Sequence, residues 1–385
     1  MTASRVLAAV AAAAAVAGCG GGKATFEPPA ELTRIEQTLD VRRLWTARVG
    51  GGAEGLRLGL RPATDGVRVY AGSHDGRAAA IDASNGRIVW SVRTDLPLSA
   101  GPGYGQGVLA FGTSNGRLLL LDAETGEERW RVAIGAEVLA APAVGRGVIA
   151  VRTTDGRLRG FSATNGAELW QVTQTQPPLI VRGDTPPIIA GPVVVAGFDN
   201  GRIGAYRLDS GDAIWELPIG SPAGRNELER LVDIAGDMQV IGNDVYAVGY
   251  QGRAVAADLN TGLVLWTQDA SSLAGLGVDQ NNVYVTTDVG YVVALSRSNG
   301  TQRWSQEALR LRDVTAPTPF GSTVVVGDYE GYVHWLDIGD GRFVARAQAA
   351  SSRIVSAPII VGRSLVVQSE DGRIVAYSVA GEDGS

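Results

Sequence analysis

With 385 residues, 52 glycines, only two methionines and abundant Val, Leu, Ile and Ala, the chain is suited to many short strands joined by tight turns, not to long helices. Its formal charge of −6 and the lack of any Lys/Arg run exclude a nucleic-acid binder, because neutralising phosphates needs a basic face. The single cysteine, Cys19, excludes an intramolecular disulfide and a cysteine-based metal cluster.

The N-terminus carries one positive charge at Arg5, an apolar run from Val6 to Val16, and then Val16-Ala17-Gly18-Cys19. A run of about 11 residues is too short for a bilayer core of about 30 Å, so residues 1–18 read as a cleaved signal peptide. Small residues directly before a cysteine resemble the bacterial lipobox, in which that cysteine becomes the acylated first residue. This reading is preferred to an ordinary signal peptide because the chain's one cysteine stands at the cleavage position. Cys19 is thus the expected lipid attachment, with residues 19–39 a flexible, Gly- and Pro-containing tether.

From residue 40 a phrase recurs. DGRAAAIDASNGRIVW, Asp75 to Trp90, returns as NGRLLLLDAETGEERW, Asn115 to Trp130. Eight units align on Gly76, Gly116, Gly156, Gly201, Gly252, Gly290, Gly331 and Gly372, at spacings of 40, 40, 45, 51, 38, 41 and 41. A second glycine follows ten residues later in seven units, and a tryptophan fourteen residues later in six. The glycines suit turns that need positive φ, and the stretches between them alternate as strands. With apolar runs such as GVLAFGTS and inner segments such as AAPAV, each unit holds about four strands, the content of a propeller blade. The eighth unit ends without room for its fourth strand, whereas DVRRLWTARV, Asp40 to Val49, offers a strand and a Trp without a preceding phrase. The expectation is an all-β, eight-bladed β-propeller of four-stranded antiparallel blades over 40–380. Its N-terminal strand completes the last blade, and 381–385 form a tail.

Nothing in the repeat supplies catalysis. His74 and His334 fall on a turn and a strand with no recognisable nucleophile or metal partner. Asp82, Asp122 and Asp258 recur at one turn position and read as turn caps. GPGYGQG, Gly101 to Gly107, opens no helix, and Asp337 to Gly341 lacks the ligands of a calcium loop. AIDASNGRIVW and AADLNTGLVLW do resemble the tryptophan-docking motif of quinoprotein dehydrogenases that bind pyrroloquinoline quinone. The chain lacks the adjacent cysteine pair of many such enzymes, so no cofactor and no enzyme activity are expected.

The repeat is stretched twice. From Trp to the next phrase takes 24–27 residues in most units, but 31 after Trp170 and 37 after Trp215. QTQPPLIVRGDTPPIIAG and LPIGSPAGRNELERLVDIAGDM carry the excess, and both should emerge on one face as neighbours. Leu179, Ile180 and Val181 beside Arg182, and Glu227, Glu229, Arg230, Leu231 and Asp233, suit an interface. Composition equally allows Leu179, Val181 and Leu231 to fold the loops back onto the propeller.

The lipobox, the tether, the blades, the loops spelling L-x-[LV]-R-G and E-x-x-R-L-x-D, and Val324 to Arg346 together are similar to the BamB family. These are lipoproteins of the outer-membrane β-barrel assembly machinery. The resemblance implies docking onto the periplasmic POTRA domains of BamA, with Leu179, Val181 and Arg182 as one contact and Arg230, Leu231 and Asp233 as the other. It also implies the other subunits of the complex as partners, an outer-membrane location facing the periplasm, and contact with nascent barrel proteins as a further option. Where family members continue Asp-x-Asp, this chain has Asp233-Ile234-Ala235. A quinoprotein-like propeller or an envelope lipoprotein with another partner are the alternatives.

Overall fold

The computed structural model describes residues 27–220, 225, 226, 228 and 230–379. The signal peptide, Cys19, Glu227, Glu229 and the 381–385 tail lie outside these residues.

Eight sheets form among the described residues, and in six of them four strands run antiparallel in chain order. Blade 3 is representative: Ala143–Gly145, Val148–Thr153, Arg157–Ser162 and Glu168–Thr173, from inner to outer. Blade 8 takes its outer strand from the other end of the chain. Val41–Arg48 pairs antiparallel with Arg373–Val379, and Trp45 stands opposite Ala376. Blade 2 gains a fifth, parallel strand, Gly59–Leu60, beside Leu98–Gly105. GPGYGQG lies mostly within that inner strand.

Apolar burial follows the seams between blades. Eight clusters of buried side chains each combine residues of two neighbouring blades, the seam of blades 8 and 1 included, where Trp45, Ile374 and Ala376 meet Val69, Ala71 and Ile81. One interaction repeats at seven seams. Trp45, Trp90, Trp130, Trp170, Trp215, Trp266 and Trp304 donate their indole N–H, at 2.7–3.1 Å, to the carbonyls of Ala83, Ala123, Ala163, Leu208, Leu259, Arg297 and Ile338 on the next blade. Three residues after each of those carbonyls stands the second glycine of the phrase, in positive φ, with the indole packed where a Cβ would be. The ring is buried at Trp45, Trp170, Trp266 and Trp304 and half-buried at Trp90, Trp130 and Trp215, and its one polar atom is satisfied throughout.

Each outer strand slips register by one residue at its tryptophan, as between Glu128 and Trp130 and between Gln302 and Trp304. Such a bulge re-aims the side chain and spoils the edge for pairing with another chain. Blade 7 has Ala345 at this position, and its seam with blade 8 is filled by the fully buried Trp335, edge-on to Tyr377 at 5.4 Å.

Residues 27–39 differ from the free tether expected there. They lie along the outer side of blade 7, where Thr38 and Leu39 donate to the carbonyl of the bulged residue Val344, and Ala30 donates to Arg310. Arg346 and Arg312 donate to the carbonyls of Thr33 and Ala30 at 2.8 and 2.9 Å. Both arginines are braced from within. His334 donates from Nε2 to Asp328 and accepts Arg346 Nε–H on Nδ1, while Arg312 donates to Asp328. Burial lowers the His334 pKa, keeping the imidazole neutral in this relay. Leu32 and Leu39 add apolar contact.

The latch predicts a difference between two glycines of similar backbone. Gly300 and Gly191 have φ of +73° and +60°, but a Cβ at 300 would stand 2.6 Å from Trp266 whereas at 191 it would meet nothing within 4 Å. Gly191→Ala should cost about 1–2 kcal/mol from backbone conformation alone. Gly300→Ala should cost a further ~1–3 kcal/mol by displacing the indole. Denaturation of the two variants measures the difference, and equal losses would show that the indole yields freely.

Candidate functional site

Connections from outer strands to the next inner strands, and the turns at the phrase glycines, share one face. At its centre is a cavity of about 450 Å3 whose lining includes Arg61, Leu139, Asp184, Leu273, Asp313 and Arg353. The segment joining Val41–Arg48 to blade 1 reaches this opening. From it Arg61 donates to Asp237 at 2.9 Å and lies 3.9 Å from Asp184, and Arg57 reaches Asp313 at 3.1 Å. Burial raises the Asp184 pKa, opposed by the charge of Arg61.

The two stretched connections, 174–187 from blade 3 to blade 4 and 219–238 from blade 4 to blade 5, lie side by side here. Thr185 Oγ1 donates to the carbonyls of Ile234 and Gly236. Gly183 packs so closely on Ala235 that a Cβ on the glycine would come within 2.5 Å of the Ala235 Cα. The expected contact residues divide by exposure. Leu179, Arg182 and Arg230 are exposed, and Val181 and Leu231 are half-buried. Arg182 adopts φ +61° and forms an ion pair with Glu137 at 2.6 Å.

Asp233 corrects the sequence reading. Its side chain is fully buried and offers no surface to a partner. It faces Arg152, whose guanidinium is 4.0 Å away and forms an ion pair with Asp199. Arg152 also donates to the Gly183 carbonyl at 3.2 Å. Neither Asp233 oxygen closes a well-formed hydrogen bond. Burial therefore dominates and pushes its pKa up to about 6, partly offset by Arg152 and by the backbone N–H groups of Val181 and Gly183. Asp233 thus sits behind the two loops, between them and the blades.

Sequence reasoning passed over Arg152 and Glu137. Arg152 did carry a signal. Four places before the phrase glycine, blades 1, 2, 4 and 7 have Gly72, Gly112, Gly197 and Gly327, and blade 3 alone has a charged residue. Glu137 carried none, because only the fold brings it to Arg182.

The remaining polar candidates have structural roles. Asp82, Asp122 and Asp258 accept backbone N–H groups of their own turns at 2.8–3.1 Å. The His74 ring shares a hydrogen bond with the Leu98 carbonyl, and His334 belongs to the blade 7 relay. No group of three or more potential metal ligands is found among the described residues.

The family profile described as outer membrane protein assembly factor BamB matches residues 29–97, 74–306 and 308–385. Pseudomonas aeruginosa outer membrane protein assembly factor BamB is 48% identical over 370 residues, 96% of this chain and 97% of that protein. The Xanthomonas campestris protein of the same name is 37% identical over 386 residues, 95% of each. Among solved structures, BamB from Moraxella catarrhalis aligns with a TM-score of 0.80 at 27% identity, covering 88% of this chain and 100% of that one. Quinohemoprotein alcohol dehydrogenase from Comamonas testosteroni aligns with a TM-score of 0.71 at 12% identity, over 90% of this chain and 77% of its own; this is a likeness of fold alone.

The raised Asp233 pKa gives a pH-dependent expectation. A carboxyl that resists ionisation when folded contributes stability that is present below about pH 4 and lost as pH rises through about 6. Asp233→Asn removes that ionisation. Its stability relative to wild type should rise between pH 4 and pH 7, by up to about 3 kcal/mol. Parallel melting curves across that range test this, and a pH-independent difference would mean that the carboxyl ionises without penalty.

Proposed function

The chain belongs to the BamB family of outer membrane protein assembly factors, and on that premise we propose that it is a non-catalytic scaffold lipoprotein that supports BamA during barrel insertion. It is anchored through Cys19 in the outer membrane and faces the periplasm. Its docking surface for the POTRA domains of BamA is formed by the two stretched connections.

The observation that carries this reading is the packing of Gly183 on Ala235, which brings the two loops together. Leu179, Val181 and Arg182 then stand on one loop, and Arg230 and Leu231 on the other. Apolar anchors beside arginines suit the centre of a protein interface. The Arg182–Glu137 pair leaves the arginine side chain 58% exposed. An exposed pair of this kind is worth about 0–1 kcal/mol, so a partner carboxylate can recruit Arg182 at little cost. Asp233 acts from behind, and Ala235 packs against Gly183.

The docked segment also sets the reach of the anchor. Cys19 is eight residues from Glu27, which forms an ion pair with Arg310. Eight residues span at most about 28 Å when extended. The membrane surface then lies close to the rim of blades 6 and 7.

Co-purification of the native BamA homologue with the lipoprotein tests the reading. Wild type should retain BamA, and a folded, anchored Arg182→Glu should lose most of it, because the new carboxylate repels both Glu137 and an acidic partner. A chain that never retains BamA would refute the partner. Equal retention by both proteins would remove Arg182 from the interface.

A further inference from the structure

Position 152 differs from its counterparts in what it does to the loop that follows. In blades 2, 4 and 7 the glycine at this place leaves a hollow filled by an apolar residue of the next connection. A Cβ on Gly112, Gly197 or Gly327 would fall 2.3–2.5 Å from Val138, Ile234 or Ile354. Those connections are thereby drawn down onto their own blade. In blade 3 the hollow is occupied by the Arg152 side chain, which is 5% exposed.

The guanidinium works in two directions. It donates to the Gly183 carbonyl of the first loop and forms an ion pair with Asp199 of blade 4. Asp233 of the second loop is within 4.0 Å. Asp199 also accepts from Gln176 at 3.2 Å, where the first loop begins. The fork geometry of arginine suits this task, since one planar group serves a carbonyl and a carboxylate at fixed angles. A buried arginine with both partners in place also resists displacement, because separating them would leave an uncompensated charge.

We propose that Arg152 is a positioning residue for partner docking: it fills the hollow that would otherwise draw the first loop inward, and holds Gly183 so that Leu179, Val181 and Arg182 face outward beside the second loop. This rests on the docking surface proposed above. Arg152 makes no contact with the partner; it acts through the loop.

The test uses the full-length lipoprotein and two variants. Arg152→Gly installs the residue found at this place in four other blades. The double variant Arg152→Met with Asp199→Asn removes both charges of the ion pair and so guards against unfolding from an unpaired buried carboxylate. Hydrogen exchange is read at 179–185, and capture of the BamA homologue at graded concentrations is read alongside it. The expected result is faster exchange confined to the loops in a folded propeller, with capture at least about tenfold weaker, as preorganisation of the contact is lost. Full-strength capture by a folded variant whose loops exchange faster would overturn the proposal, as would unchanged exchange in both variants. If wild type captures no BamA, the docking reading fails, and the exchange data still decide whether Arg152 holds the loop.

Discussion

The propeller depends on a tryptophan indole laid across a glycine of the neighbouring blade, its N–H satisfied by a carbonyl three residues before that glycine. Two demands meet there. Burying the ring supplies apolar area, and the hydrogen bond removes the cost of burying its one polar atom. The glycine is required twice, for positive φ and for the space the ring occupies, which explains why the two residue types recur at fixed offsets while the lengths between units vary. The bulge just before each tryptophan turns the ring toward the next blade, and it breaks the outer edge that a flat strand would offer to other chains.

Seven seams carry the latch, and the seam between blades 7 and 8 uses other means. Trp335 and Tyr377 fill it, and residues 27–39 cover the adjoining outer side of blade 7. The carbonyl of Val344, left over by the bulge, is satisfied by Thr38 and Leu39. The Asp328, His334, Arg312 and Arg346 relay converts a buried carboxylate into two oriented guanidinium groups that hold the carbonyls of Ala30 and Thr33. A segment without strand periodicity is thereby fixed through its backbone.

The parts legible in the sequence were those in which one residue type answers one geometric demand. Glycines at turns, tryptophans fourteen residues on, the unpartnered Trp45 segment and the two overlong connections all fall in this class, and they located the blades, the ring-closing strand and the loops. Contacts made through backbone carbonyls at long range were not legible. Nothing in PPAELTRIEQTL signals that Arg312 and Arg346, about three hundred residues away, will hold it. Asp233 was placed on the right loop but facing the wrong way. Its surroundings in the sequence do not reveal Arg152, and an aspartate beside an unseen guanidinium reads like any surface acid. Register slips at the tryptophans were equally invisible, because a bulge changes pairing without changing composition.

The ring's rigidity gives meaning to the places where it departs from repetition. The glycine hollow four places before the phrase glycine holds an apolar residue of the following connection in blades 2, 4 and 7, so those connections follow their blades. Blade 3 is the one blade with a charged residue at this place, Arg152, immediately before the first overlong loop, and the second overlong loop brings the carboxylate that faces it. The arginine standing where four other blades have glycine thus touches both overlong loops at once: it donates to the Gly183 carbonyl of the first and faces the buried Asp233 of the second. Seven seams are latched by an indole and the eighth is filled by Trp335 and Tyr377, so every blade is held on both sides. The two loops are therefore presented by a ring held at every seam, with residues 27–39 docked separately on the outer side of blade 7.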